Sequence, residues 1–491
     1  MREKTAIVIG AGLGGISAAL RLKAKGHKVT LLDRLDQLGG RARVFKQDGF
    51  KFDAGPTVVT APFLINELFE LFGKKREDYI DFVEVDPWYR FLFNDGTHFD
   101  YGATLEHTKR EIAKFDSRDV KGYENLLEES RKIFEVGFEE LGDVPFHRFS
   151  TFFSKFPDMV RLKAYRNVYQ LVSAHLKNEK LRRAFSIQPL LVGGNPFDTT
   201  CIYNLIHYLE RKWGIHYAMG GTGAMISGLE KLMREEGIEI MLNCDVKSMH
   251  GNGRIESIEL TDGRSFEADL FVCNSDPSHT YKYMVPQNQN KKWTPKKVDG
   301  MDYSMGLYVI YFGTKKLYPD VKHHTIIMGE SYKGLLKSIF NKLELRMDDI
   351  SLYLHRPTAT DPSMAPEDHE CFYVLSPVPN MKSGIDWTHE SEKFKNFIYQ
   401  QLENTCLPNL RENIVTERVL HPGDFVTDYK SHFGTGFSIA PSLTQSAYFR
   451  FHNKSEDFKN LFFVGAGTHP GAGMPGVLCS SKVLEKVIPT V

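Results

Sequence analysis

The feature that most constrains the fold is a glycine-rich turn near the start of the chain, between two short apolar runs. The stretch "TAIVIGAGLGGISAALRLKAKGHKVTLLD" predicts a strand, a turn, a helix and a second strand that ends in Asp33. Gly10, Gly12 and Gly15 have the spacing G-x-G-x-x-G at the junction of strand and helix. Gly10 permits the tight turn, Gly12 lets a pyrophosphate approach, and Gly15 lets the helix pack closely on the strand. The pattern predicts a parallel α/β unit that binds a dinucleotide.

Length and charge narrow the class of protein further. A chain of 491 residues is longer than one core usually organises, so two or three domains are expected. Its 62 basic and 62 acidic residues balance, which argues against nucleic acid as a partner. The six cysteines are scattered and form no C-x-x-C pair. We therefore expect a reducing cytoplasm, no disulfide framework and no metal site.

The uncharged run from Ala6 to Leu20 resembles the core of a signal peptide, but its glycines and the folded α/β pattern that follows argue against that interpretation. Elsewhere no apolar run approaches the roughly 18 residues that span a bilayer. The sequence therefore predicts a cytoplasmic protein that is at most attached to a membrane surface.

A second glycine-rich loop, "VGAGTHPGAG", follows an apolar run near the other end of the chain. It lacks the G-x-G-x-x-G spacing and the closing acid, so it is not a second phosphate loop. Gly465 ends the predicted strand, and a helix is predicted to start after Pro475, near Gly476. The N-terminus of that helix would favour negative charge on a bound ring.

Further blocks resemble the bacterial-type phytoene desaturases of the flavin amine oxidase superfamily. The block "DRLDQLGGRAR" continues from Asp33, and "GFKFDAGPTVVTAP", "LLVGGNPF", "RKWGIHYAMGGTGAM", "SLYLHRPTATDPSMAPE", "LSPVP", "SLTQSAYFRFHN" and "FVGAGTHPGAGMPGV" follow in the order typical of that family. Three departures stand out: Asp33 replaces the usual Glu, Phe451 replaces a Pro, and Ala466 stands where amine oxidases have an acid, as expected of the desaturases.

The resemblance implies an α/β fold with a discontinuous Rossmann-like FAD-binding domain, an inserted sheet-based substrate domain and a helical membrane-facing domain. The FAD domain would comprise residues 1–75, 215–290 and 425–491. The substrate domain would comprise residues 76–125 and 291–424, and the helical region residues 126–214.

The resemblance also implies the residues that bind FAD. They are Gly10, Gly12, Gly14, Gly15, Asp33, Gly40, Arg41, Gly55, Pro56, Thr57, Val246, Gly465, Met474, Pro475 and Val477. Gly220 and Gly221 are further candidates. The flavin N5 would accept a hydride, because no side chain can. No residue is identified as the base, and five histidines stay open, each more often a packing or surface residue: His207, His216, His323, His324 and His355.

Residues 146–178 interleave aromatic and basic side chains, a composition that suits a segment lying on a membrane surface. The aromatic residues are Phe149, Phe152, Phe153 and Phe156. An ordinary amphipathic helix whose aromatic side chains pack inward has the same composition, so both interpretations stay open.

The resemblance implies stepwise oxidation of phytoene towards lycopene. Since no second nucleotide motif is apparent, analogy with the family favours oxygen or a membrane quinone as electron acceptor. Within the class, a C30 diapophytoene desaturase, a carotenoid isomerase and a later-stage carotenoid desaturase stay open. A soluble amine oxidase is a further alternative. A non-enzyme alternative is a prenyl-binding protein like the Rab GDP-dissociation inhibitors, which share the superfamily fold.

Overall fold

A computed structural model of the chain describes residues 4–488, apart from the side chains of Thr151, Phe152, Ser154 and Phe156. The strands within this range are β1 (Thr5–Ile9), β2 (Lys28–Leu32), β3 (Val44–Gln47), β4 (Phe50–Asp53), β5 (Phe82–Glu84), β6 (Tyr89–Phe93), β7 (His98–Tyr101), β8 (His216–Ala218), β9 (Glu239–Met241), β10 (Val246–Gly251), β11 (Ile255–Leu260), β12 (Ser265–Glu267), β13 (Leu270–Cys273), β14 (Gly306–Thr314), β15 (His324–Met328), β16 (Leu352–His355), β17 (Glu370–Val378), β18 (Ile414–Leu420) and β19 (Leu461–Phe463).

The α-helices of the same residues are α1 (Leu13–Ala24), α2 (Phe63–Glu70), α3 (Leu105–Phe115), α4 (Arg118–Phe134), α5 (Phe149–Arg161), α6 (Val168–His175), α7 (Glu179–Phe185), α8 (Leu205–Trp213), α9 (Gly221–Glu235), α10 (Pro277–His279), α11 (Pro295–Asp299), α12 (Tyr332–Lys337), α13 (Trp387–Thr405), α14 (Leu410–Asn413), α15 (Pro422–Tyr429) and α16 (Met474–Val487). None of these helices is both long and apolar enough to cross a bilayer.

The two glycine-rich loops belong to one parallel sheet of five strands, in the order β19-β13-β1-β2-β9. The predicted strand–helix–strand unit is confirmed, since β1 and β2 pair in parallel on either side of α1. Ile16 and Leu20 of α1 are fully buried, and Gly26 follows the helix with a positive φ, as a C-terminal glycine should. The sheet therefore draws its strands from the beginning, the middle and the end of the chain.

A second, mixed sheet of seven strands has the order β18-β14-β17-β16-β15-β6-β7, and only its β15–β6 pair is parallel. Strand β14, the second in this order, is apolar and buried throughout because both of its faces are covered. Phe394 of α13 packs on Tyr308 on one face, and Phe52 of the β3–β4 hairpin packs near Tyr311 on the other. Apolar runs without alternation are the expected signature of a strand covered on both faces.

Two smaller regions complete the molecule. Strands β10, β11 and β12 form the antiparallel meander that the alternation and the "GNG" and "TDG" turns predict, and β13 then joins the parallel sheet. The long mixed charged and apolar segments between residues 108 and 217, with few turn residues, predict a mostly helical region, and helices α3 to α8 lie there. The predicted division between residues 125 and 126 falls inside α4, which packs on α6 and α8.

The last helix departs from its prediction by two residues. It starts at Met474, with Pro475 inside its first turn, instead of after Pro475. Proline is well tolerated there because the first N–H groups of a helix have no partner within it. Gly473 directly precedes this helix, with φ +87°.

Candidate functional site

The loops that leave the carboxyl ends of the parallel strands line one cavity of about 630 Å³. Gly10 follows β1, Asp33 follows β2, Asn274 follows β13, and Gly465 lies beyond β19. In sheets of this kind, ligands bind in the crevice outside the carboxyl ends of the strands. The cavity therefore lies where the sheet topology predicts a nucleotide.

Fourteen of the fifteen predicted cofactor residues border this cavity, although they come from five separate parts of the chain. They are Gly10, Gly12, Gly14, Asp33, Gly40, Arg41, Gly55, Pro56, Thr57, Val246, Gly465, Met474, Pro475 and Val477. Gly15 does not border it. A Cβ added at Gly15 would lie 1.9 Å from the carbonyl oxygen of Gly10, so this glycine permits the close packing of α1 on the turn.

Gly220 and Gly221 lie away from the cavity, beside the start of α9. The Gly220 N–H donates to Asp361 Oδ2 at 2.6 Å. A Cβ at Gly221 would lie 2.4 Å from Asp53 Oδ1. These two glycines therefore fit the packing around Asp53, and neither of them borders the cavity.

Asp33 is held rigidly at the mouth of the turn. Its Oδ2 accepts from the Ala11 N–H at 2.5 Å, and its Oδ1 accepts from the Leu35 N–H at 2.8 Å. Burial raises the pKa of Asp33, an effect that these two hydrogen bonds oppose. The carboxyl group borders the cavity and can accept hydrogen bonds from a ribose diol.

Arg41 places a buried positive charge on the cavity wall. Its Nη2 donates to Ser431 Oγ at 3.1 Å and to the Thr435 carbonyl at 3.3 Å, while its Nε has no partner. Arg41 forms no ion pair with a carboxylate of the described residues, and burial lowers the pKa of its guanidinium, an effect that the more distant Asp276 carboxylate opposes. A buried cation without a counter-charge is costly, so the site fits an anionic group such as a pyrophosphate.

Asn274 joins the two glycine-rich loops and was not predicted. Its Nδ2 donates to the Gly10 carbonyl at 3.2 Å. A Cβ at Gly14 would lie 2.4 Å from Asn274 Oδ1, and one at Gly465 would lie 2.6 Å from the same atom. The sequence does contain a signal, because Asn274 directly follows an apolar strand, but its contacts with both loops depend on the parallel pairing of β13 with β1.

Away from the nucleotide loops, the cavity is walled by apolar side chains of the helical region and the seven-stranded sheet. They include Val136, Phe138, Phe146, Met159, Leu162, Ile187, Leu190, Ile206, Leu209, Ile326 and Leu375. A cavity lined mostly by apolar groups with a few polar ones is the usual form of a small-molecule site. One end thus suits a charged nucleotide and the other a hydrocarbon.

Glu210 of α8 is a buried carboxyl group in the apolar part of this wall. Tyr89 Oη donates to Glu210 Oε1 at 3.2 Å, and both residues border the cavity. Burial raises the pKa of Glu210 to about 8, which leaves the group mostly protonated at neutral pH. A carboxyl group that titrates near neutral pH can exchange protons with a bound molecule. No local sequence pattern distinguishes this glutamate from others.

None of the five histidines left open by the sequence borders the cavity. His207 packs beside Phe185 and bonds through Nε2 to the Phe185 carbonyl at 2.6 Å, and His216 lies on β8. His323, His324 and His355 form a separate buried cluster behind the cavity wall. Burial lowers the pKa of His207 to about 4, so it is neutral at physiological pH.

Comparison with known proteins agrees with this geometry. The family described as flavin containing amine oxidoreductase matches residues 13–482. The chain belongs to that family and is an FAD-dependent oxidoreductase, as the sequence predicts.

Within the family, the predicted resemblance to bacterial phytoene desaturases is also confirmed. The chain is 43% identical over 487 residues to phytoene desaturase (lycopene-forming) from Pseudescherichia vulneris, covering 99% of each protein. It is 44% identical over 481 residues to the enzyme of that name from Pantoea ananas, covering 98% of each. Identity to 4,4'-diapophytoene desaturase (4,4'-diaponeurosporene-forming) from Staphylococcus haemolyticus is lower, 35% over 492 residues and 98% of each protein.

Solved structures share the fold at low sequence identity. An oxidoreductase from Methanosarcina mazei superposes with a TM-score of 0.68 at 17% identity, over 98% of this chain and 100% of that one. RAB GDI from Plasmodium falciparum gives 0.56 at 12% identity, over 98% and 97%. The mixed α/β architecture is therefore that of the flavin amine oxidases and their structural relatives.

Proposed function

We propose that the protein oxidises phytoene stepwise towards lycopene in carotenoid biosynthesis. The observation that carries this proposal is the single cavity that connects nucleotide-binding loops at one end with apolar walls at the other. The lycopene-forming enzymes support it as relatives of higher identity than the C30 diapophytoene desaturase. A long polyene offers no polar group to recognise, so shape and apolar burial must position it.

The proposed FAD domain is the five-stranded sheet with its loops, drawn from residues 1–75, 215–290 and 425–491. Gly10, Gly12 and Gly14 would receive the pyrophosphate with Arg41, and Asp33 the ribose. Gly55 to Thr57 and the start of α16 would flank the flavin ring, with Val246 near the adenine. When bound, FAD supplies the acceptor for a hydride that leaves an allylic carbon. We propose that the helical part begins at α3, because α3 packs on α4 and α4 packs on α8.

The chain's own groups then handle the proton from the adjacent carbon. The apolar wall excludes water from that carbon, and Glu210 Oε1 or Oε2 is the proposed proton acceptor. Only a small fraction of Glu210 is ionised at neutral pH. That fraction is sufficient to remove the proton, because a C–H bond next to an allylic cation is strongly acidic. Tyr89 Oη holds the carboxyl group in place through its hydrogen bond.

Access to a water-insoluble substrate is the proposed role of α5. Phe153 is 68% exposed and Phe149 53% exposed, and Val160 is also exposed, while Met159 on the same helix borders the cavity. Leu443 is both exposed and part of the cavity wall. An apolar outer surface beside an apolar cavity suits a protein attached peripherally to a membrane. The side chains of Phe152 and Phe156, also predicted here, lie outside the described residues.

The test is to express the chain in a bacterium that accumulates phytoene and to identify the pigments by chromatography and absorption. Lycopene is the expected main product. Neurosporene or ζ-carotene as the main product would mean fewer desaturation steps of the same reaction. Unconverted phytoene beside a folded, flavin-loaded protein would refute the proposal. A parallel strain that accumulates 4,4'-diapophytoene tests the C30 alternative, and geometric isomers of an unchanged polyene would identify an isomerase.

The electron acceptor is the remaining part of the proposal. Oxygen or a membrane quinone would reoxidise the flavin, as the sequence predicts. Rapid mixing of the reduced protein with air-saturated buffer or with a soluble quinone distinguishes them by the rate at which the oxidised flavin absorbance returns. A colourless preparation that cannot be reconstituted with FAD would favour the prenyl-binding alternative.

A further inference from the structure

Three histidines from two strands meet behind the wall of the cavity. His323 directly precedes β15, His324 begins it, and His355 ends the neighbouring strand β16. One ring nitrogen of each lies within 4.8 Å of one from each of the other two. All three side chains are buried, with exposures of 4%, 0% and 0%. Three imidazoles so close together and away from water need a physical explanation.

Each imidazole has one ring nitrogen beside an oxygen. His323 Nδ1 is hydrogen-bonded to Thr360 Oγ1 at 2.6 Å, and His324 Nδ1 to Tyr353 Oη at 2.7 Å. His355 Nε2 faces Asp53 Oδ2 at 3.8 Å, within ion-pair distance but too far apart for a hydrogen bond. Metal-binding histidines show this arrangement, in which the second ring nitrogen faces a carboxylate, hydroxyl or carbonyl that fixes the ring orientation.

The opposite nitrogens have no partner among the described residues. Nε2 of His323, Nε2 of His324 and Nδ1 of His355 are all buried without a hydrogen bond. Burying a polar atom without a partner costs free energy, and a cluster of such atoms is rare in native proteins. Oδ2 of Asp53 and the hydroxyl of Tyr217 are unpartnered beside them, so the neighbourhood offers further oxygen donors.

The electrostatics also favour a cation. The buried Asp53 carboxyl provides the nearby negative charge. Arg356 directly follows His355 in the chain, but its guanidinium is paired with Glu370. The negative charge of Glu370 therefore offsets the positive charge of Arg356 near the cluster.

We propose that His323, His324 and His355 bind one divalent first-row transition metal ion, with zinc as the expected occupant. Three imidazole ligands with an oxygen donor in the fourth position suit zinc, and imidazole nitrogen also binds copper, nickel and iron. The ion would tie β15 to β16 and, through Tyr353 Oη and Thr57 Oγ1, which lie 3.2 Å apart, would stiffen the cavity wall. The cysteine pattern gave no reason to predict a metal site.

The first test is the metal content of the full-length protein, purified from zinc-supplemented medium with its affinity tag removed. Plasma mass spectrometry should find about one zinc per chain, the stoichiometry of a single three-histidine site. After chelation, Co²⁺ should give the visible absorption bands of a tetrahedral nitrogen site. A chain without stoichiometric metal and without cobalt bands would overturn the proposal, and neither measurement depends on flavin or turnover.

Variants then locate the ion. His324→Gln and His355→Gln should each lose nearly all bound zinc, while His207→Gln, a matched buried histidine outside the cluster, should retain it. Thr360→Val removes only the partner behind His323 at a partly exposed position, so the fold should survive. It should weaken zinc binding about 10–100-fold, as expected for a group behind a ligand. Zinc retained at full stoichiometry by a folded His324→Gln protein would place the ion elsewhere and refute the assignment.

Discussion

The nucleotide loops and the histidine cluster show two ways in which a chain assembles a site. The loops depend on backbone shape, which Gly10 and Gly15 set within six residues of one another. The cluster depends on side chains, and it brings Asp53, His323 and His355 together from distant parts of the chain. Backbone sites of the first kind leave a local pattern in the sequence. Side-chain sites of the second kind become visible only once the sheet register is known.

The comparison also separates two energetic roles. A glycine in a tight turn is required because its neighbours are backbone atoms that cannot move away. A substitution that preserves the volume of a side chain on the cavity wall is tolerated by the fold, so such a change should alter chemistry more than folding. Variants of the turn glycines should therefore lose stability, whereas variants of the cavity wall should lose turnover.

The largest effect is expected for Gly15→Ala. The new Cβ would lie 1.9 Å from the carbonyl oxygen of Gly10, and neither the turn nor α1 can shift without breaking the parallel sheet. We expect a loss of at least about 3 kcal/mol in the free energy of unfolding, together with loss of flavin. Urea unfolding and the flavin absorbance of the purified protein measure both.

Gly300→Ala is the matched control for this change. It has a negative φ, and its added Cβ would approach backbone atoms no closer than 3.4 Å. The control should change stability by less than about 0.5 kcal/mol. Equal losses in the two variants would remove the distinction between a turn glycine and an ordinary one.

The next largest effect is expected for Glu210→Gln, which preserves the shape of the cavity and removes the titrating group. Turnover should fall about 10²–10⁴-fold, the usual contribution of a positioned acid or base. Flavin reduction by phytoene in liposomes, followed in a single turnover, measures the step directly. Unchanged reduction with normal flavin content would show that another group, or water, takes the proton.

The same variant gives a stability test that needs no substrate. Burial raises the pKa of Glu210 from 4.5 to about 8, so the folded state binds more protons than the unfolded state between these values. The stability that this group contributes is fully present below pH 4.5 and is lost as the pH rises through about 8. Urea unfolding from pH 5 to pH 9 should therefore lower the stability of the wild type relative to Glu210→Gln by roughly 3–5 kcal/mol.

Buried histidines change the pH dependence of the unfolding free energy in the opposite direction, and they do so equally in the wild type and in Glu210→Gln. Burial lowers the pKa of His207 and His469 to about 4, so their stabilising contribution is lost as the pH falls below 6.5. The difference between wild type and variant removes these effects. If the difference in unfolding free energy between the wild type and Glu210→Gln did not depend on pH, Glu210 would be ionised in the folded protein.

Much of the fold was readable from the sequence because it follows from local patterns. The strands β14, β16 and β17 are apolar runs between turn residues, and the glycine motif located the cavity. Asn274 and Glu210 were missed for a physical reason. Asn274 acquires its role from the parallel pairing of β13 with β1, and Glu210 from the apolar surroundings of α8, and neither is encoded by neighbours along the chain.

A smaller effect is expected at the second glycine loop. Gly473 has φ +87° and ψ 154°, a conformation open almost only to glycine, and an added Cβ would lie 2.9 Å from Val192 Cγ1. Gly473→Ala should cost about 1–3 kcal/mol and weaken flavin retention and turnover about tenfold, since a side chain tip can yield where a carbonyl cannot. Gly73→Ala, at φ +68° with open space around it, is the control for backbone strain alone. Equal flavin retention in Gly473→Ala and Gly73→Ala would show that the loop containing Gly473 does not contact the flavin.

The smallest effect is expected at the exposed side of α5, which we propose contacts the membrane. Phe153 is 68% exposed, so Phe153→Asp should leave the unfolding free energy unchanged. Burying one phenylalanine in a bilayer is worth roughly 1.5–3 kcal/mol, so binding to liposomes should weaken by about one to two orders of magnitude. Leu317→Asp replaces a comparably exposed apolar residue, at 50%, in the loop between β14 and β15 and should not affect binding. Turnover on detergent-dispersed phytoene does not require membrane binding, so it should stay normal in both variants. If Phe153→Asp left liposome binding unchanged, α5 would have a purely structural role.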